Sequence, residues 1–239
     1  MSLINERYDR VVCICLKERQ DKYEYSKKQF EKHNIEVEFF RPVVHNYIGK
    51  LSELYADKYN IPSQNKILFN KQFPNELSVM QSFYHVIKTA ILEDIQNLFI
   101  FEDDFQMHKD WGELLPKYFE KLPKNADLIM LYSYQHELFP ENTRVSSRWI
   151  RAFRSWSNIA VGMNRKYLEE YIKQIDACPR IGDVVTYELQ EKLNCYIACP
   201  VLGIPSKQFI SNIRGNNKNY DNPLFQNAFT FGLNESMYI

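Results

Sequence analysis

Glu102, Asp103 and Asp104 stand side by side directly after the apolar run 98–101 (LFIF), and no other part of the sequence is better equipped for chemistry. A short continuous run of this kind reads as a buried strand, and the carboxyl end of a parallel strand is where α/β sheets place their ligand sites. On an extended chain alternate side chains share a face, so Glu102 and Asp104 are expected to point together and Asp103 to the opposite side. Two convergent carboxylates suit a hard divalent ion that bridges the oxygens of a diphosphate. Such an ion offsets the charge that builds on a departing nucleotide. The plainer alternative is that the three acids cap the next loop with Asp104 solvated, since short acidic motifs recur by chance.

The elements that must position these acids are legible on either side. Residues 10–16 (RVVCICL) read as a buried strand, residues 21–32 as a helix capped by Asp21 with Tyr23 and Phe30 inward, and residues 37–44 as a second strand. Strand, helix, strand in so short a stretch is the unit of a parallel sheet. Residues 50–59 suggest a short helix. Residues 75–93 form a helical pattern, with Leu77, Met80, Tyr84, Ile87 and Ile91 on its buried face. Asp110 is placed to cap a helix reaching 122, and residues 127–132 (DLIMLY) make a fourth strand. Further on, strands at 149–153 and 159–163 flank a polar turn at Ser155, Trp156 and Ser157. Asn164 caps a helix to 175, and Asp183 opens another to 193. A last strand covers 195–201, and 206–239 reads as a polar, asparagine-rich tail. With no repeat or clear linker, one α/β domain over 1–239 is the simplest account.

The bulk properties narrow the function. Lys and Arg together number 30, as do Asp and Glu, so the formal charge is zero and a general electrostatic binder of nucleic acid is disfavoured. Five cysteines without CxxC pairs read as free thiols of a reducing compartment; Cys13 and Cys15 fall on one side of the first strand. The start lacks the apolar core of a signal peptide, and no run is long enough to span a bilayer, so a cytoplasmic location without a transmembrane segment is expected. Trp149, Trp156 and Tyr134 are candidates to stack on a sugar, although core packing is the commoner use of each. His108 lies close enough in sequence to contribute a metal ligand, although a solvated loop histidine is the commoner reading.

Four blocks, in order, together resemble glycosyltransferase family 25, the lipopolysaccharide and collagen galactosyltransferase group. Residues 11–22 (VVCICLKERQDK) resemble the family's opening strand and its basic turn. Leu16, Arg19 and Asp21 fit, while Cys15 replaces an Asn and Lys22 an Arg. Residues 75–88 with 98–105 (LFIFEDDF) resemble a Ser-His helix leading to a Leu-Glu-Asp-Asp strand end. Ser82 matches, Phe83 stands where the histidine is expected, and His85 follows two positions on. Residues 155–171 resemble a strand and helix segment. Residues 181–189 with 199–214 (CPVLGIPSKQFISNIR) resemble an Asp-containing helix and a Gln-x-x-Ser-x-Ile tail.

The resemblance implies a GT-A-like nucleotide-sugar-binding fold, with a mostly parallel central sheet flanked by helices. It implies a UDP-sugar donor, manganese or another divalent cation, and inverting transfer of a hexose such as galactose to a hydroxyl of a glycan or glycosylated protein. Residues 1–135 would then form the nucleotide-sugar half, 136–205 the acceptor and catalytic half, and 206–239 the tail. Glu102 and Asp104 would hold the metal, and Glu102 and Asp103 would belong to the nucleotide-sugar motif. Inversion needs a carboxylate to take the proton of the attacking hydroxyl. Asp183 matches the family's aspartate and Glu188 is the fallback, although an acid after glycine at a helix start is equally an N-cap. Arg19 and Lys17 follow the first strand, where phosphate or uracil would lie. Gln208, Ser211 and Asn212 offer neutral groups to sugar hydroxyls or to a closing tail.

Two other classes remain in view. A metal-dependent phosphohydrolase would need more clustered ligands than one acidic triplet and five scattered histidines supply. A family-like fold that has lost turnover and serves as a sugar- or partner-binding module is the stronger alternative, given the replacements at Cys15 and Phe83.

Overall fold

The computed structural model describes residues 2–42, 63–177, 182–209 and 229–238, the stretch 63–77 by its backbone alone. The opening unit forms as its pattern dictates. After a short helix α1 (Leu3–Arg7), the β-branched run becomes β1 (Arg10–Ile14). Helix α2 (Gln20–Lys32) crosses over, and β2 (Glu38–Phe40) returns parallel to β1. A long helix α3 (Ser63–Leu92) leads into β3 (Asn97–Glu102), which lies parallel to β1 on its other side, with Ile14 opposite Glu102. Leu98, Phe99, Ile100 and Phe101 are wholly buried, the signature of a strand covered on both faces.

Next come β4 (Phe105–Met107), α4 (Trp111–Glu120), β5 (Leu128–Met130), β6 (Tyr134–Gln135) and β7 (Trp149–Arg151). They are followed by β8 (Ala160–Asn164), α5 (Arg165–Ala177), α6 (Gly182–Leu189), β9 (Cys195–Ala198), β10 (Gly203–Pro205), β11 (Phe229–Thr230) and a 3-10 turn, Glu235–Tyr238. The central sheet has seven strands in the order β2-β1-β3-β8-β5-β9-β7. Strands β1, β2, β3, β5 and β9 run one way, while β8, between β3 and β5, and β7, at the edge, run the other. The sheet is thus mixed but mostly parallel, with helices α3, α5 and α6 packed together against it. Gly162, in β8, makes room for Tyr8: a Cβ there would fall on the tyrosine ring, which rests edge-on against Phe99.

Several expectations need correction. Helix α2 begins at Gln20 with Arg19 as its N-cap residue, so Asp21 lies in the first turn rather than capping it. Its inner face carries Lys22, Ser26 and Phe30, while Tyr23 is only partly buried. On α3 the buried face runs through Met80, Phe83, Val86, Ile87 and Ala90; Tyr84 and Ile91 are partly buried, and the side chain of Leu77 is outside the described residues. The polar average of the tail concealed two anchors: Phe231 and Tyr238 are buried, and the Tyr238 hydroxyl donates to the carbonyl of Val201. Strand β11 pairs antiparallel with β6. The suggested helix at 50–59 lies outside the described residues. Cys13, Cys15, Cys195 and Cys199 are free and buried.

Candidate active site

The acidic triplet forms where β3 stops. Glu102 is the last paired residue; its amide donates to the carbonyl of Ile159 at 2.8 Å. The chain then turns at Asp103 and Asp104 before continuing as β4. Strand alternation therefore ends one residue too soon for the expected pairing of Glu102 with Asp104 against a solitary Asp103. Asp103 and Asp104 instead converge on one ammonium: Lys22 Nζ donates to Asp103 Oδ1 at 2.9 Å and to Asp104 Oδ2 at 3.0 Å.

Helix α2 clamps this turn with polar residues spaced as one helical face. Lys22 binds the carboxylates, and Ser26 Oγ donates to the carbonyl of Asp103 at 2.7 Å. Gln29 Nε2 donates to the carbonyl of Phe105 at 2.8 Å, and Gln29 Oε1 accepts from the amide of Met107 at 3.0 Å. From the opposite side the amide of Ser206 donates to the carbonyl of Asp104 at 2.7 Å. Sequence reasoning missed Lys22 as a site residue. The signal was present as three polar residues at i, i+4 and i+7 on a helix whose next inward position is Phe30.

The electrostatics are lopsided. Burial first, then Asp104, Asp183 and Asp103, push the Glu102 carboxyl well above the ordinary carboxylate range, while Lys22 pulls the other way. Burial also raises Asp103 despite the ammonium beside it. For Lys22, burial opposes the charge, yet Asp104 and Asp103 outweigh it and hold the side chain protonated, above its ordinary value. Burial, then Asp103, drives the Cys15 thiol up to about 12. The residue in place of the expected Asn is thus a neutral thiol beside an acid.

Asp183 sits in the first turn of α6 and reaches the triplet through its charge on Glu102. Glu188 is more than a turn farther along that helix and is not among the leading charges on Glu102. Arg19 is bound by its neighbour: Nε donates to Asp21 Oδ1 at 2.9 Å and Nη2 to Asp21 Oδ2 at 2.6 Å, which lowers the Asp21 carboxyl to about 2. Arg19 also feels Asp103 and Asp104, and its guanidinium lies 5.9 Å from the ring centre of Phe209. Lys17 is exposed, and its carbonyl accepts from Arg41 Nη2 at 2.9 Å. Arg41, unmarked in the sequence, thereby ties the end of β2 to the β1–α2 loop. Gln208 is exposed in the turn after β10, and its amide donates to Ser206 Oγ at 3.3 Å; Ser211 and Asn212 lie outside the described residues.

Other candidates separate cleanly. Phe83 is core, and His85 is exposed and stacked on Phe40 at 5.2 Å. Trp149 is buried, with Nε1 donating to the carbonyl of Tyr118. Trp156 is partly exposed and lies 5.2 Å from Tyr187, one helical turn beyond Asp183. His108 is buried rather than solvated, and its Nδ1 accepts from the amide of Asp110.

Among the described residues no group of three or more His, Cys, Asp or Glu stands in a metal-ligating cluster. The acidic turn still fits a hard cation: its donors are carboxylate oxygens, and the leading charges on Glu102 are three carboxylates against one ammonium. Among the described residues no helix is long and apolar enough to cross a membrane.

A mostly parallel sheet flanked by helices makes this an α/β protein, and the acidic turn lies at the edge where such sheets place their ligand sites. Residues 9–178, well over half of the chain, match the model of glycosyltransferase family 25 (LPS biosynthesis protein), and the chain belongs to that family. No curated protein matches it. Among solved structures it is similar to mannose-1-phosphate geranyltransferase from Thermus thermophilus, at 11% identity and a TM-score of 0.31. That match covers 52% of this chain and 50% of the other, so the chain spans about half the length of that relative. It is also similar to A197 from STIV, at 12% identity and a TM-score of 0.36, covering 86% of this chain and 98% of the other.

Proposed function

We propose that this family 25 glycosyltransferase transfers a hexose from a UDP-sugar to a hydroxyl of a glycan or glycosylated protein, with inversion, on a GT-A-like fold. The observation that supports the reading is the acidic turn held by Lys22 at the end of β3, with the charge of Asp183, at the start of α6, acting on Glu102. Three separated segments (α2, the end of β3 and the start of α6) deliver charge to one place at the carboxyl edge of the sheet.

Glu102 and Asp104 would hold a divalent cation, manganese by the family's pattern, which when bound offsets the negative charge gathering on the UDP leaving group. Lys22 holds Asp103 and Asp104 together, so the turn is shaped before any ligand arrives. Arg19 and Lys17 line the β1–α2 loop where the nucleotide would lie. Asp183 takes the proton from the acceptor hydroxyl as its oxygen bonds to the sugar's anomeric carbon and the carbon–oxygen bond to diphosphate breaks. Trp156 and Tyr187, one turn along α6 from Asp183, offer apolar faces to an acceptor sugar.

The test is a thermal-shift series of UDP and UDP-sugars with and without manganese, on the wild type and on Asp104→Ala. A bound ligand stabilises the folded state by about 2.7 kcal/mol at a hundred times its Kd. We expect a manganese-dependent shift with UDP compounds that disappears in the variant. No shift with any nucleotide would sink the reading, and a shift without turnover on any acceptor would favour the binding-module alternative.

A further inference from the structure

Tyr171, on α5, is only 1% exposed, and its hydroxyl has no hydrogen-bond partner among the described residues. The hydroxyl lies against the start of α6: a Cβ on Gly182 would stand 2.9 Å from Tyr171 Oη and 3.4 Å from Asn158 Nδ2. One helical turn earlier, Tyr167 shows how such a group is ordinarily satisfied. Its hydroxyl donates to Thr186 Oγ1 at 3.1 Å, and that hydroxyl donates to Asn158 Oδ1 at 2.8 Å. Two tyrosines on one face of α5 thus meet α6, one paired and one orphaned.

A buried hydroxyl without a partner is costly, and a phenylalanine would fill the same space without that cost. The charges around it indicate where a partner lies. After burial, Asp183 and then Glu102 act on the phenol, and all three raise its pKa, so it stays a donor. A water molecule beside the phenol would accept its hydrogen and have two hydrogens of its own to donate, one to an oxygen of each acid.

We propose that Tyr171 is a positioning residue for Asp183: through one buried water it ties the carboxylate at the start of α6 to Glu102 at the end of β3. The inference rests on the glycosyltransferase reading for its consequence in catalysis, but not for the geometry. The water fixes the proton acceptor relative to the acidic turn. Without it α6 keeps its links to Tyr167 and Asn158 through Thr186, but the Asp183 carboxylate loses its tie to Glu102.

Tyr171→Phe in the full chain tests this with two measurements. In kinetics, kcat falls roughly tenfold while the donor KM stays within about twofold, because the loss is in orientation at the reacting atoms. The manganese-dependent UDP thermal shift stays as in the wild type. A wild-type kcat overturns the proposal. So does a joint loss of the thermal shift and the fold, which would make Tyr171 a packing residue only. In high-resolution crystal structures, the wild type holds a water bonded to Tyr171 Oη, Asp183 and Glu102, and Tyr171→Phe does not. Tyr171 Oη bonded to another protein atom overturns the proposal as well. If the wild type binds no nucleotide, the glycosyltransferase reading fails while the crystallographic measurement still decides the role of Tyr171.

Discussion

Asp127 precedes β5 and Asp103 follows β3, so the two aspartates stand at opposite ends of strands that run the same way. Each is 5% exposed, and each has a lysine beside it. Around Asp127 the donors are complete. Oδ2 accepts from Lys166 Nζ at 3.0 Å and the amide of Asn194 at 2.9 Å, and Oδ1 accepts from Asn164 Nδ2 at 3.0 Å. Burial opposes ionisation there, but these donors outweigh it and hold the carboxyl below its ordinary value. Around Asp103 the balance tips the other way: burial raises the carboxyl, Asp104 adds to it, and the lysine that opposes them is shared with Asp104. One end of the sheet is a closed structural stitch. The other gathers several acids around one ammonium.

The largest effect that sharpens this contrast comes from the two lysines. Lys22 is 2% exposed, so Lys22→Met strands two acids next to partly buried Glu102. Removing one partner of a buried pair costs about 3–5 kcal/mol, and we expect a loss of that order by urea unfolding in EDTA. Lys166 is 59% exposed, and Lys166→Met should cost under about 1 kcal/mol, because water screens its pair and Asp127 keeps its other donors. Equal losses from the two variants would break the contrast.

Next in size is the removal of the stitched acid itself. Asp127→Ala leaves the amide of Asn194 without its acceptor and Asn164 Nδ2 with only the carbonyl of Ala126, which should cost about 1–3 kcal/mol on unfolding. The manganese-dependent UDP shift should be unchanged, since Asp127 stands at the far end of the strands. A variant that keeps its stability but loses the UDP shift would reverse the roles assigned to the two ends.

Much of this architecture was legible from hydrophobic pattern alone. Runs such as 98–101 and 127–132 are buried on both faces, so their composition has no choice but to be continuous. Caps were less legible: Asn164 does accept from the amide of Tyr167, but Asp21 and Asp110 have no capping bond. Asp21 is drawn instead to Arg19, two residues away, and no propensity scale contains that competition. The location of the acidic turn was readable, its geometry was not. Alternation holds only while a strand continues, and where β3 stops is decided by Lys22, Ser26 and Gln29 on another element. Tyr171 reads in sequence as an inward residue of its helix, with Tyr167, Leu168 and Ile175, and it is buried; its orphaned hydroxyl was not readable, because that is defined by what surrounds it. The antiparallel β8 likewise depends on which strand it pairs with, and pairing is a long-range property.

The smallest effect is in the pH dependence of stability without divalent ions, and here the two ends should pull in opposite directions. Asp127 is held below its ordinary value, so its contribution is complete above about pH 4, the unfolded value, and is lost as pH falls through the folded one. Glu102 is held well above its ordinary value by burial and by Asp104, Asp183 and Asp103. Above about pH 4.5 the unfolded glutamate is ionised while the folded one keeps its proton, so the folded state binds more protons and stability falls as pH rises. The slope from this one group is at most about 1.4 kcal/mol per pH unit. Urea unfolding in EDTA between about pH 2 and pH 8 should therefore show a mildly acidic optimum in the wild type. Glu102→Gln should flatten the neutral side and leave the acid side, and Asp127→Asn should do the reverse. A neutral side that persists unchanged in Glu102→Gln would mean that the extra proton bound on folding sits on another group, and the contrast between the two ends would lose its main support.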